Sequence, residues 1–492
     1  MKVLMKKFND FRHKTDPQEI KDVGYQFVGI LADYLDRVQN ADTRVVNYLS
    51  AEDAFKIYDE PIPENGMPLD EVLEQVTDPL LKHAQNLASP AYVGHQVCHP
   101  LVLSAFAKGL SSAINQGLAI QEMSPLGTMI EKRVIRWICD AVGYDHHGDG
   151  TIVSGGTEAN LTGIMIARSV KAGHDIWKEG STEPLVGFCS ARSHYSVERA
   201  FGILGLGTQN LVKVGETPDF KMDIVALEQA INDTIKKKQK PFVVIATAGC
   251  TPVGSFDDIE AVADICKKYD LWLHVDGAHG GSFVFSEKMR HRLKGIHRAD
   301  SIALDPHKMM FMPLNLGTVL LKDQKHFDAT FKVNAPYIFH KTTADLGCLN
   351  IGERTIQCSR GFEAFKLWIS LKHYGISYFV EMMEHCVETT RYLYDQLIAA
   401  EDFEPLNIPE SNILCFRLVP EKLRSASQEK LDQFNYELRT VFNQTGKAWI
   451  TTTVFAGKRL LRTTIINPRT TKKEIDQLIV DIRNTGHTLM SL

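Results

Sequence analysis

Lys308 stands in ALDPHKMMFMP (303–313), a cation between a histidine and a run of methionines in otherwise apolar sequence. A lysine withdrawn from water is a latent nucleophile that can condense with an aldehyde. Asp276 closes the run LWLHVD (271–276) and is followed by Gly277, Ala278, His279, Gly280 and Gly281, small or flexible residues against which a flat group can lie. Upstream, Ser154-Gly155-Gly156-Thr157 joins the run TIVS (151–154) to a helical pattern. Two glycines and a hydroxyl there meet the unpaired N–H groups of a helix start, which is a cradle for phosphate. His194, in ARSHYSVERA, follows the apolar run that ends near Cys189. Taken singly, each feature has a plainer explanation: a turn, a cap, a solvated cation, a structural histidine.

The elements that must hold these residues give them a common place. From about residue 86, short apolar, β-branched runs alternate with helical patterns: TIVS, PLVGFC (184–189), FVVIATA (242–248), LWLHVD, SIAL (301–304) and LGTVLL (316–321). This reads as an α/β chain with a mainly parallel sheet covered on both faces. In such sheets ligands bind beyond the carboxyl ends of the strands, and all four features fall there. Before this region, residues 18–38 carry a helical repeat and PIPENGMP (61–68) breaks the chain. Residues 1–85 are therefore expected to form a helical N-terminal segment; that it packs on a partner subunit is a separate expectation, not one that the periodicity carries. Residues 86–372 form the large domain, and 373–492, with the strand patterns NILCFRLV and RLLRTTI, form a smaller C-terminal α/β domain.

Composition narrows the class. The 492 residues are 44% hydrophobic and 23% charged, as in a globular protein, and the net charge of −5 offers no pull on nucleic acid. No run approaches about 18 apolar residues and the N-terminus lacks a signal pattern, so a cytoplasmic protein away from membranes is expected. The nine cysteines are scattered without a CxxC pair, and DHHGDG (145–150) reads as a polar turn, so no metal is expected.

A phosphate cradle, an aromatic ring to stack on a flat group, a carboxylate for a ring nitrogen and an amine for an aldehyde together describe one ligand, pyridoxal 5′-phosphate. HVDGAHGG followed by DPHKMM, with SHYSVERA and SGGTEANL upstream, closely resembles the group II pyridoxal-phosphate decarboxylases. That family includes the glutamate, cysteine sulfinate, aromatic amino acid and diaminobutyrate decarboxylases. The resemblance runs from about residue 86 to the C-terminus and extends to ATAGCTPVGSFDDIEAVADIC, RTIQCSRGFEAFKLW and LLRTTIINP. It implies an aspartate-aminotransferase-type (fold type I) fold, an obligate homodimer with active sites at the subunit interface, and removal of an amino acid's α-carboxylate as carbon dioxide to leave an amine.

The resemblance also implies roles. Lys308 would carry the cofactor as a Schiff base, Asp276 would pair with the pyridine nitrogen, and His194 would stack on one ring face with Ala278 on the other. Gly156, Thr157 and His307 match the phosphate shell. Thr251 and Asp257 match positions near the ring substituents and the stacking histidine, and Arg462 matches the arginine that holds the substrate carboxylate. Tyr337, in NAPYIFHKTTADLG (334–347), matches the catalytic tyrosine of a lid that reaches the partner's site.

Two departures stand out. Asp305 replaces the asparagine that many members use near the phosphate, and it is not assigned to phosphate binding. His95, Gln96, Ala119 and Gln121 are the candidates for the substrate wall and reproduce neither the aromatic-type nor the glutamate-type pocket. Competing readings keep the cofactor but end in an aldehyde synthase, aminotransferase or other lyase. A silent homologue acting as a scaffold is a further one.

Overall fold

The computed structural model describes residues 16–39, 43–331, 349–455 and 457–491. Seven strands form the main sheet: β1 (Asp149–Val153), β2 (Leu185–Ser190), β3 (Leu211–Val214), β4 (Lys240–Thr247), β5 (Trp272–Asp276), β6 (Ser301–Leu304) and β7 (Gly317–Leu321). Their order is β1-β7-β6-β5-β4-β2-β3. Neighbours pair in parallel from β6 through β3, whereas β7 runs antiparallel to both β1 and β6. The carboxyl ends of β1, β2, β4, β5 and β6 therefore share one edge with the start of β7.

The strands are nearly continuous apolar runs because helices cover both faces. We label the main helices α1 (Pro17–Gln39), α2 (Val102–Ile114), α3 (Pro125–Val142), α4 (Gly156–Lys171), α5 (Tyr195–Ile203), α6 (Ile224–Lys236), α7 (Ile259–Lys268), α8 (Ala364–Ala399), α9 (Gln428–Gln444) and α10 (Lys472–Leu489). Local chemistry sets their starts. Asp223 caps α6 by accepting from the Val225 and Ala226 amides, and Asp258 caps α7 by accepting from Ala261. Along α7, Ile259, Val262, Ala263 and Cys266 bury one helical stripe against the sheet. Each fully buried aliphatic side chain of this kind contributes about 1.5–3 kcal/mol.

A second, antiparallel sheet has the order β10-β11-β9-β8, built from β8 (Phe403–Pro405), β9 (Ile413–Leu418), β10 (Thr451–Phe455) and β11 (Lys458–Thr464). Leu414 and Phe416 of this sheet share a core with Leu438, Phe442 and Ile475 of α9 and α10. Helix α8 serves both cores: Leu367, Phe379 and Met383 enter the first and Leu393 and Leu397 the second. Its helical path breaks at Gly375, whose φ of 73° only glycine adopts at little cost. Among the described residues no helix is long and apolar enough to cross a membrane. Of the eight described cysteines, all free, only Cys358 is exposed.

Candidate active site

At the shared strand edge lies a cavity of about 340 Å³, within the range of small-molecule sites. Lys308, Asp276, His194, Gly156, Thr157, Thr251, Ala278 and His307 all line it. The topology explains this. Asp276 is the last residue of β5, Lys308 lies in the turn after β6, and Thr251 follows β4. His194 follows β2 as the N-cap of α5, and Gly156 opens α4 after β1.

Asp276 is buried yet well supplied with donors: Asn160 Nδ2 reaches its Oδ2 at 2.9 Å, and the Ala278 amide reaches its Oδ1 at 3.2 Å. His194 Nδ1 lies 2.8 Å from Ser196 Oγ. Burial holds the His194 ring below its ordinary pKa, so it is neutral near pH 7.

Lys308 Nζ lies 3.2 Å from Asp305 Oδ2, and the same oxygen accepts the Gly156 amide at 2.9 Å and faces His307 Nε2 at 3.5 Å. Asp305 thus touches the cradle through its first amide. Its other oxygen, Oδ1, is buried with no hydrogen-bond partner, which costs on the order of 1–3 kcal/mol. His307 Nδ1 accepts from the Leu316 amide at 3.0 Å, so the neutral ring carries its proton on Nε2. Glycines permit this crowding. A Cβ on Gly156 would meet Ala278 Cβ at 2.8 Å, and one on Gly317 would meet Asp305 Oδ1 at 2.7 Å.

An amine, a buried carboxylate, an imidazole and a helix start around one cavity fit a phosphorylated pyridine aldehyde. The model of the pyridoxal-dependent decarboxylase conserved domain matches residues 52–419. The chain belongs to this family. It is 31% identical over 466 residues to an aromatic-L-amino-acid decarboxylase from Bacillus atrophaeus, covering 95% of each chain. It is 29% identical to an L-2,4-diaminobutyrate decarboxylase from Acinetobacter baumannii, covering 85% of this chain and 84% of that one. Among solved structures it resembles mouse CSAD, with a TM-score of 0.91, 26% identity and coverage of 96% and 99%. The fold is accordingly the fold type I arrangement, and the protein is a pyridoxal-phosphate-dependent amino-acid decarboxylase.

Asp257, Arg462, His95, Gln96, Ala119 and Gln121 lie outside the cavity lining. Asp257 sits behind the cavity, where its carboxylate accepts the amides of Thr247 and Met222 at 2.7 Å each. Burial raises its pKa to about 6 despite those two donors. Arg462, on β11, stands behind Thr251: its Nη2 donates to the Thr251 carbonyl at 2.7 Å and its Nε to that of Pro252 at 3.1 Å. Nη1 makes only a long 3.5 Å contact with Thr451 Oγ1.

His95 is held neutral by burial and by the charges of Arg462 and Arg439, and Gln96 Nε2 is buried without a partner. The Ala119 carbonyl accepts the Gly352 amide, and the Gln121 amide donates to Asn350 Oδ1. Tyr337 falls outside the described residues. His279, named with the small residues after Asp276, also lines the cavity, and the sequence reading missed Asn160, Thr247, Gly249 and Asn315, which line it too.

Proposed function

We propose that this chain removes the α-carboxylate of an L-amino acid as carbon dioxide, with Lys308 as the amine that holds the cofactor, in a homodimer. The observation that carries the assignment is the meeting of Lys308, Asp276, His194 and the start of α4 around one cavity. Bound there, pyridoxal phosphate supplies an aldehyde and a protonated ring that accepts the electrons of a breaking carbon–carbon bond.

The chain's own residues do the rest. Asp276, fixed by two N–H donors, presents a carboxylate to the ring nitrogen. Gly156 and Thr157, at the start of α4, would hold the phosphate, with the helix dipole favouring its charge. His194 and Ala278, which both line the cavity, would bound the ring faces. Arg462 has one guanidinium nitrogen that is weakly engaged, suited to a carboxylate. His95, Gln96, Ala119 and Gln121 are proposed for the substrate wall, with Gln96 Nε2 a buried donor in search of an acceptor.

Exposed apolar surface supports the dimer. Val102, Phe106, Leu110 and Ile114 form an exposed stripe at four-residue spacing along α2, and Met123, just before α3, and Leu126 and Met129 in its first turns are exposed as well. Leu126 is 77% exposed. Exposed apolar side chains concentrated on these two helices suit an interface, and a second copy of the chain is proposed to cover them.

Lys308→Ala should lose the visible, covalent cofactor band and nearly all release of carbon dioxide. Borohydride reduction and peptide mapping of the wild type should place the cofactor on Lys308, and label on another lysine would refute the assignment. A panel of aromatic, acidic, basic and sulfinic amino acids, scored by carbon dioxide and amine formed, identifies the substrate.

A further inference from the structure

We infer that Asn160 is a positioning residue that fixes both the Asp276 carboxylate and, through Ser196, the tautomer of His194. The inference rests on the roles proposed above for those two residues. Asn160 lies one turn into α4 and is 1% exposed, an unusual place for an amide. Its side chain has four partners' worth of geometry to satisfy. Nδ2 donates to Asp276 Oδ2 at 2.9 Å and to Ser196 Oγ at 3.0 Å, and Oδ1 faces His274 Nε2 at 2.9 Å.

The direction of every bond follows. Turning the amide over would set its oxygen against the Asp276 carboxylate, two acceptors with no proton between them, so Nδ2 must face Asp276. Oδ1 then accepts, and His274 must carry a proton on Nε2. On the other side of that ring, Trp272 Nε1 donates to Ser301 Oγ at 2.8 Å, and the same oxygen lies 2.8 Å from His274 Nδ1. Burial lowers the His274 pKa to about 4, so the ring is neutral and, with its proton on Nε2, its Nδ1 accepts from the Ser301 hydroxyl.

Ser196 repeats the logic toward the cavity. Its Oγ takes the Asn160 proton, so its own hydroxyl is free for His194 Nδ1 at 2.8 Å, and the Ser196 amide points at the same nitrogen at 3.3 Å. Nδ1 can only accept, and the His194 proton resides on Nε2. One amide thus holds the Asp276 carboxylate and, one hydroxyl removed, reinforces the His194 tautomer that the Ser196 backbone amide also favours. The site has room for this because position 163 is glycine: a Cβ there would lie 2.6 Å from the His274 ring.

The test uses the full-length protein and pyridoxal phosphate binding, followed by the visible band. The ionisable groups around position 160 are Asp276 and His274 on β5 and His194 at α5, with Lys308 and Asp305 beyond them. Asn160→Asp keeps the shape and the acceptor but donates to Asp276 only when protonated. Its affinity relative to wild type should fall with rising pH, by about tenfold per unit above the pKa of the new pair. Asn160→Leu, which no proton can rescue, should bind at least about tenfold more weakly at every pH.

A wild-type-like Asn160→Leu, or an Asn160→Asp ratio that stays flat with pH, would overturn the inference. In cofactor-free protein labelled with [15N]histidine, the signal lost in His194→Gln should report the Nε2–H tautomer and should shift in Ser196→Ala. An Nδ1–H signal in the wild type would equally overturn it. Failure of the functional reading looks different: the visible band would then survive Lys308→Ala, whatever happens at position 160.

Discussion

The carboxylate of Asp305 accepts the Gly156 amide and lies against Lys308, so, in the proposed site, an anion takes an amide that would otherwise be open to a phosphate. Its charge would also oppose a phosphate bound at the start of α4. Asp305→Asn should tighten pyridoxal phosphate binding by about tenfold, the effect of roughly 1.4 kcal/mol, and leave unphosphorylated pyridoxal unchanged. Parallel titrations measure both, and equal tightening of the two ligands would show that the effect runs through Lys308 instead.

Residues of this kind were legible because a lysine, an aspartate and a histidine stood at the ends of apolar runs. Asn160 was not legible, although SGGTEANL was singled out, because an asparagine inside a helix is ordinarily solvated. Its burial depends on α4 lying across β5, which is a property of the packed sheet.

Strand β5 carries a second consequence of burying polar groups. His274 lies within it and His279 three residues beyond Asp276, and burial lowers their pKa values from 6.5 to about 4 and about 3. Each folded-state pKa is depressed, so the neutral rings contribute stability that is fully present above about pH 6.5 and is lost as the pH falls toward the folded values. The slope should approach about 1.4 kcal/mol per pH unit for each histidine. Thermal unfolding at about pH 7 and about pH 5 should show the loss, and His274→Gln, starting from a lower stability, should show a smaller one. An equal pH dependence in the variant would count against His274 as a source.

At this scale the sequence announced six of the seven strands of the main sheet. It missed β3, a four-residue edge strand whose Lys213 is exposed. It also missed β8 and β10, which are short or only partly buried. The reversed direction of β7 left no trace either, since a strand buried on both faces has the same composition whichever way it runs.

For the molecule as a whole, the apolar stripe on α2 and the start of α3 is the feature that a single chain leaves unsatisfied. If a second copy covers it, Phe106→Glu combined with Leu126→Glu should sediment as a folded monomer with native far-UV dichroism and should lose turnover. Wild-type sedimentation would place the interface elsewhere. The family's fold was legible across nearly the whole chain because its motifs lie at strand ends spread from residue 154 to 308. The substrate wall was not. His95, Gln96, Ala119 and Gln121 are polar or small residues without a chemical signature, and none lines the cavity formed within one chain.

The burial of the thiols sets how the protein meets electrophiles. Cys98, whose Sγ donates to the carbonyls of His307 and Met312 beneath the lysine-bearing turn, has its pKa pushed up to about 12 by burial. Cys139 and Cys415 are raised to about 12 and Cys189 to about 11 for the same reason. Thiols in that state hold almost no thiolate and are inert to maleimides and to air. Among the described residues Cys358 alone is open to reagent. It is two residues from Arg360, which pairs with the buried Glu131. A fluorophore attached at that position would therefore ride on a segment anchored beside β1, next to the cavity, with no other described cysteine needing replacement.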